Sequence, residues 1–155
     1  MKFSALTNYL EKIEGISSRN DMTQVITEAF NDMSSEEMSI FAYVLEGRVA
    51  PLFVPAEFNF SEKSLITLLS QYTKEKVVDL RSELGDIGLV TEKILAKQKG
   101  KDLDVLTVYE YLWKIISVKG TGSVKTKANY VGDILSQLSP NEAKFFTRMV
   151  VGKLR

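Results

Sequence analysis

The chain has no cysteine and no histidine. Their absence removes disulfides, thiolate and imidazole zinc sites, cysteine nucleophiles and the imidazole general base. Any chemistry would have to rest on carboxylates, lysines or hydroxyls. Proline is scarce, with only Pro51, Pro55 and Pro140 to interrupt helices. No apolar run approaches the roughly 20 residues of a membrane span, and the N-terminus lacks a signal-peptide core. A soluble intracellular protein with no membrane partner is therefore expected, and we read it as a monomer. Net charge is absent too, since 20 basic side chains balance 20 acidic ones. With 45% apolar residues, 155 residues can bury a core as one domain or as two small halves that share an interface.

The zero net charge conceals an asymmetry. Residues 1–55 hold eight acids and four bases, residues 56–110 ten and eight, and residues 111–155 two and eight, which leaves the last segment at +6. An anionic partner senses the local field rather than the total. A solvated basic face beside an acidic neighbour gives the same arithmetic and stays open.

Within that basic segment, Lys119-Gly120-Thr121-Gly122-Ser123-Val124-Lys125-Thr126-Lys127 runs into an amphipathic helix. The first N–H groups of a helix have no intrahelical partner, the macrodipole is positive there, and glycines allow close backbone approach. Lysines in a first turn oppose the dipole unless an anion supplies the missing charge. The stretch is thus a candidate phosphate site, and equally an ordinary turn capped by Ser123.

Sliding the chain by 105 positions lays residues 3–50 over residues 108–155 without a gap. Gly15 falls on Gly120, Ser18 on Ser123, Ser34 on Ser139, Glu37 on Glu142, Phe41 on Phe146 and Gly47 on Gly152. The offset is too long for a solenoid, so we read two pseudo-equivalent helical subdomains joined by connecting helices over about 51–107. The first copy then offers a matching helix opening at Ser17, Ser18 and Arg19.

Helical periodicity gives an all-α chain with no convincing strand. Helices are expected over about 2–14, from Ser17-Ser18 through Phe30, and from the capping box Ser34/Glu37 to Gly47. Residues 48–59 form an extended crossover whose Leu52, Phe53, Val54 and Phe58 should pack on a helix surface. Further helices follow from Ser61, over about 74–84 and over about 87–97, and residues 97–101 read as a solvated, mobile exit. A capping box at Thr107/Glu110 opens the second copy, with Trp113 as a packing anchor. Ser139, Pro140 and Glu142 together start the last helix, on which Lys144 and Arg148 lie four apart as like charges that want an anion opposite.

The set LEGRVAP at 45–51, GTGSVKTK at 120–127 and LSPNEAKFFTRMVVGKLR at 138–155 resembles the N-terminal DNA-binding domain of ATP-dependent DNA ligases of the archaeal and eukaryotic type. The resemblance covers essentially all of residues 1–155. It implies a multihelical, internally pseudo-symmetric domain that grips duplex or nicked DNA across the minor groove without reading sequence, in replication, repair and recombination. Its partner would be a nucleotidyltransferase domain of the same polypeptide. ATP and Mg2+ would act there, because the lysine-x-aspartate-glycine adenylation motif is absent from this sequence; no cofactor, metal or catalytic residue is expected here. Val124 and Thr126 depart from the polar and basic residues usual at those places. The DNA-binding residues implied are Gly120, Gly122 and Ser123 through main-chain and hydroxyl contacts, Lys125 and Lys127 as counter-charges, and Ser17, Ser18 and Arg19 as the first-copy site. Arg48, Lys144 and Arg148 form a second rank.

Two other readings remain at this level. A helical protein-interaction module would use the apolar crossover from Leu52 to Phe60. A self-sufficient enzyme would need converging carboxylates, for which Glu36-Glu37 and Asp102-Asp104 are the nearest candidates.

Overall fold

A computed structural model describes residues 1–154; Arg155, the last residue of the final motif, lies outside the described residues. Nine α-helices are present among them: α1 Phe3–Glu14, α2 Arg19–Asn31, α3 Ser35–Leu45, α4 Glu62–Leu69, α5 Val77–Leu84, α6 Ile87–Ile94, α7 Val105–Ser117, α8 Ser123–Leu135 and α9 Pro140–Val150. The only extended pairing among the described residues is one antiparallel bridge between Lys2 and Asp104. The fold is all-α, and none of these helices is long and apolar enough to cross a membrane.

The last helix is the centre of the molecule. Ser139 accepts from the Glu142 N–H while the Glu142 carboxylate accepts from the Ser139 N–H, and Pro140 sits where no N–H is needed. From that start every residue from Glu142 to Val150 is buried. Phe145, Phe146, Met149 and Val150 each contribute about 1.5–3 kcal/mol by leaving water. The most extensive helix contact of α9 is with α6, and α1 also packs on it. Gly88 on α6 makes the approach possible, since a Cβ there would lie 2.6 Å from Arg148 Nε and 2.8 Å from the Lys144 carbonyl oxygen.

Under the 105-residue offset the bounds of α3 and α9 coincide, at 35–45 and 140–150, and both begin with a complete capping box. Their burial differs: α3 buries only Glu37, Ile40, Phe41 and Val44.

Several boundaries depart from expectation for local reasons. Helix α5 starts at Val77 because Thr73 Oγ1 accepts the Glu75 N–H, closing a turn where a helix would otherwise run. Helix α7 starts at Val105, with Asp104 at the N-cap, so Thr107/Glu110 is not a capping box. The Val105 N–H donates to the Met1 carbonyl and the Phe3 N–H to the Leu103 carbonyl, which fixes the earlier start by tertiary pairing. The 97–101 exit is fastened rather than free. Gln98 Nε2 donates to the Leu135 and Leu138 carbonyls, both at 2.6 Å, and the Lys101 N–H donates to the Gln137 carbonyl. The crossover packs at its ends, where Val49, Ala50 and Phe60 are buried, but Leu52 and Phe53 at its tip are 76% and 86% exposed.

Candidate nucleic-acid interface

The opening of α8 is built by two left-handed glycines. Gly120 has φ 88° and Gly122, the N-cap, φ 77°, a region that L side chains rarely adopt. Ser123 is therefore the first helical residue and not the cap, and no side chain caps the helix. The Ser123 N–H turns back to the Gly120 carbonyl at 3.2 Å. Helix geometry leaves the N–H groups of Val124 and Lys125 without an intrahelical acceptor. There is no acid in the first turn. A Cβ on Gly120 or Gly122 would meet nothing within 4 Å, so the surface above them is open. Lys119 and Lys125 are exposed beside it and make no ion pair among the described residues.

The matching opening of α2 is already satisfied from within. Ser18 is the N-cap and accepts from the Asp21 N–H at 3.4 Å, and Asp21 supplies negative charge to the first turn. Ser17, Ser18 and Arg19 are all exposed. Equivalent positions thus carry different electrostatics: the second opening lacks an anion and the first contains one.

An open hollow of about 590 Å³ adjoins the α8 opening. Arg48, Ser61, Ser64, Val124 and Gly152 line it, so the structure brings Arg48 to the same surface as α8. Arg48 is exposed and only loosely paired, 3.9 Å from Glu46. Ser17, Ser18 and Arg19 do not line this hollow.

Three of the expected phosphate ligands point inward. Lys127 is 2% exposed, and its Nζ donates to the Phe58 carbonyl, fastening the crossover to α8. Desolvation pushes its pKa down, and the nearby Lys119 adds to the effect. Lys144 Nζ lies 3.2 Å from Glu11 and 3.6 Å from Glu92. Arg148 donates through Nε and Nη2 to Asp86 Oδ2, at 2.9 and 2.8 Å, and through Nη1 to Glu14 at 3.0 Å. Burial works against the Arg148 charge, but these two carboxylates outweigh it and its pKa is raised. Both cations also stand over the Phe145 ring, at 4.9 and 5.3 Å. The anion that the like-charged pair on α9 calls for is supplied by the protein. No local pattern marks Asp86 as a partner; it also caps α6 by accepting from the Leu89 N–H.

One carboxylate of each candidate pair, Asp104 and Glu37, is likewise committed to structure. Asp104 pairs with Lys2 Nζ at 3.3 Å, and the Asp102 carbonyl accepts from the same ammonium. Glu37 accepts from the Met1 ammonium at 2.5 Å and from the Ser34 N–H. Those two hydrogen bonds, the ammonium's first, hold its carboxyl below the usual glutamate range against the opposing effect of burial. A depressed carboxylate stabilises the fold fully above its unfolded pKa, and the effect drains away as pH falls through the folded value. Glu37→Gln should therefore cost about 1 kcal/mol at neutral pH, the scale of a weakened hydrogen bond to the Met1 ammonium, since glutamine can still serve the capping box. Urea melts from pH 7 down to about pH 3 should show the variant and parent converging as the acid titrates.

With this geometry in view, residues 2–155 match the family described as DNA ligase N terminus. The chain belongs to that family. It is 35% identical over 158 residues to a probable DNA ligase of Dictyoglomus turgidum, 31% identical over 163 residues to a DNA ligase of Thermoplasma volcanium, and 34% identical over 172 residues to one from Ignicoccus hospitalis. All of this chain is covered in each case, and it spans 27%, 28% and 29% of the respective ligases. Residues 1–154 of this member of the DNA ligase N-terminal family are all-helical.

Proposed function

We propose that this ligase N-terminal domain grips duplex or nicked DNA through its phosphate backbone, across the minor groove and without reading bases. It would serve an ATP-dependent DNA ligase in replication, repair and recombination. The observation that carries the reading is the open, uncapped, lysine-flanked start of α8, a helix N-terminus with no anion of its own. Val124 and Lys125 would offer main-chain N–H donors, Ser123 its hydroxyl, Gly120 and Gly122 an unobstructed approach, Lys125 and Lys119 charge, and Arg48 a further cation beside the hollow. Ser17, Ser18 and Arg19 would act as a weaker second contact, because Asp21 already occupies their helix dipole. Lys127, Lys144 and Arg148 are assigned to the scaffold. A nucleotidyltransferase domain of the same polypeptide would supply adenylation with ATP and Mg2+, since this sequence has no lysine-x-aspartate-glycine motif.

Fluorescence anisotropy with intact, nicked and single-stranded DNA tests the reading. Duplex and nicked DNA should bind better than single strands, and scrambled duplexes should differ by less than about tenfold, the scale of one lost base contact. Lys125→Ala should weaken binding and reduce the log-log salt slope by about one. Arg19→Ala should weaken it less. Equal affinity of parent and Lys125→Ala at every salt concentration would reduce the α8 opening to a solvated turn.

A further inference from the structure

The crossover tip is the least buried large apolar surface among the described residues. Its stem is anchored: Val49 and Ala50 are buried, and the Tyr109 hydroxyl donates to the Val49 carbonyl. Between the stem and Pro55 the chain turns tightly, the Val54 N–H donating to the Pro51 carbonyl at 2.9 Å. Leu52 and Phe53 occupy the two corner positions of that turn. Pro51 and Pro55 restrict the backbone on either side, so the two side chains are held out in water by a braced loop. Exposing them costs solvation free energy that nothing within the domain returns.

The surroundings decide between two kinds of occupant. Arg48 lines both a hollow of about 230 Å³ that Leu52 also lines and the larger hollow at the α8 opening, which makes tip, arginine and helix start one continuous surface. Residues 49–56 carry no acid; the acids at the margin are Glu57, which lines both hollows, and Glu46, 3.9 Å from Arg48. A leucine and a phenylalanine at a turn can bury on the order of 300 Å² between them. That is far short of the roughly 800 Å² per partner of a stable protein interface. It suffices for a side-chain wedge between two base pairs, a use for which leucine and phenylalanine are suited and which a neighbouring cation on the phosphates supports. We propose that Leu52 and Phe53 form an apolar wedge that enters the minor groove and unstacks one base step of the bound duplex. This rests on the proposed DNA grip, to which it adds local deformation of the DNA.

The test places 2-aminopurine, whose fluorescence rises on unstacking, at successive steps around a nick, and records anisotropy and base fluorescence in the same titration. With this chain, fluorescence should rise at one or two adjacent steps on saturation. The exposed double substitution Leu52→Ser/Phe53→Ser should leave thermal unfolding unchanged. It should weaken binding about tenfold, the scale of one lost aromatic–base contact, abolish the fluorescence rise and preserve the salt slope. Saturated binding of the unaltered chain without any rise would overturn the wedge while leaving the backbone grip intact. So would a double variant indistinguishable from the parent, which would assign the tip to a protein surface. Failure of the unaltered chain to bind any duplex would overturn the grip itself and the wedge with it.

Discussion

Arg148→Met should be the most damaging single change outside the apolar core, costing about 3–5 kcal/mol in urea unfolding. Methionine keeps much of the side-chain volume over Phe145, so the loss is that of the cation. It strands Asp86 and Glu14, whose oxygens lie 2.8 to 3.0 Å from the guanidinium. Asp86 bears most of the consequence, being the less exposed of the two, at 27% against 49%. It still accepts the Leu89 N–H, so Asp86→Asn combined with Arg148→Met should recover part of the loss by removing the orphaned charge. The prediction separates two roles for the arginine. A phosphate ligand would give a variant of nearly normal stability with a salt slope for DNA binding smaller by about one. A scaffold cation should give a large stability loss and, where the variant remains folded, an unchanged slope.

Arg148 also shows where reading the sequence stops. The like-charge pair at 144 and 148 was visible as an anomaly that asked for an anion, and the anion exists. The carboxylates that accept from Arg148 come from positions 62 and 134 residues away in the chain, and no local pattern points across such distances. Features set by neighbouring residues were legible: the capping boxes at Ser34/Glu37 and Ser139/Glu142, the close of α5 at Leu84, and the non-helical crossover around Pro51 and Pro55. Features set by tertiary contact were not. The Met1 and Leu103 hydrogen bonds moved the start of α7, and Gly88 leaves α6 room against α9 where a Cβ would meet Arg148 and the Lys144 carbonyl. The sequence marked Gly120 to Lys127 as a helix entry, and α8 begins within it, at Ser123, with Lys127 turned inward. Serine preference at N-caps pointed to Ser123, whereas the left-handed Gly122 holds the cap position, which leaves the opening without a capping side chain.

Lys127 lies buried under the crossover instead of facing a phosphate, and its substitution should separate packing from charge. Lys127→Ala would empty the space under the crossover and leave the Phe58 carbonyl without its donor. About 2–4 kcal/mol should be lost, combining a cavity with an unsatisfied acceptor. Lys127→Met leaves the same carbonyl without a donor but should cost less, since methionine refills the space and no buried charge remains. The pH dependence gives the sharper distinction. Burial lowers the folded pKa of Lys127 below its ordinary value, so between those two values the unfolded chain binds more protons than the folded one. Relative to Lys127→Met, the parent should gain stability as pH rises through that window toward about 10.4 and lose the gain as pH falls through the folded value. Tyr9 and Tyr111, whose hydroxyls donate to Asp32 and Asp133, act in the opposite sense: their raised pKa values make the fold less stable at high pH. Both chains share them, and the difference between the chains cancels their effect. A parent-minus-variant stability that stayed flat up to pH 10 would mean that the ammonium reaches water and is not held under the crossover. In that event Lys127→Met should also lower the salt slope for DNA by about one, the signature of a cation that meets phosphate.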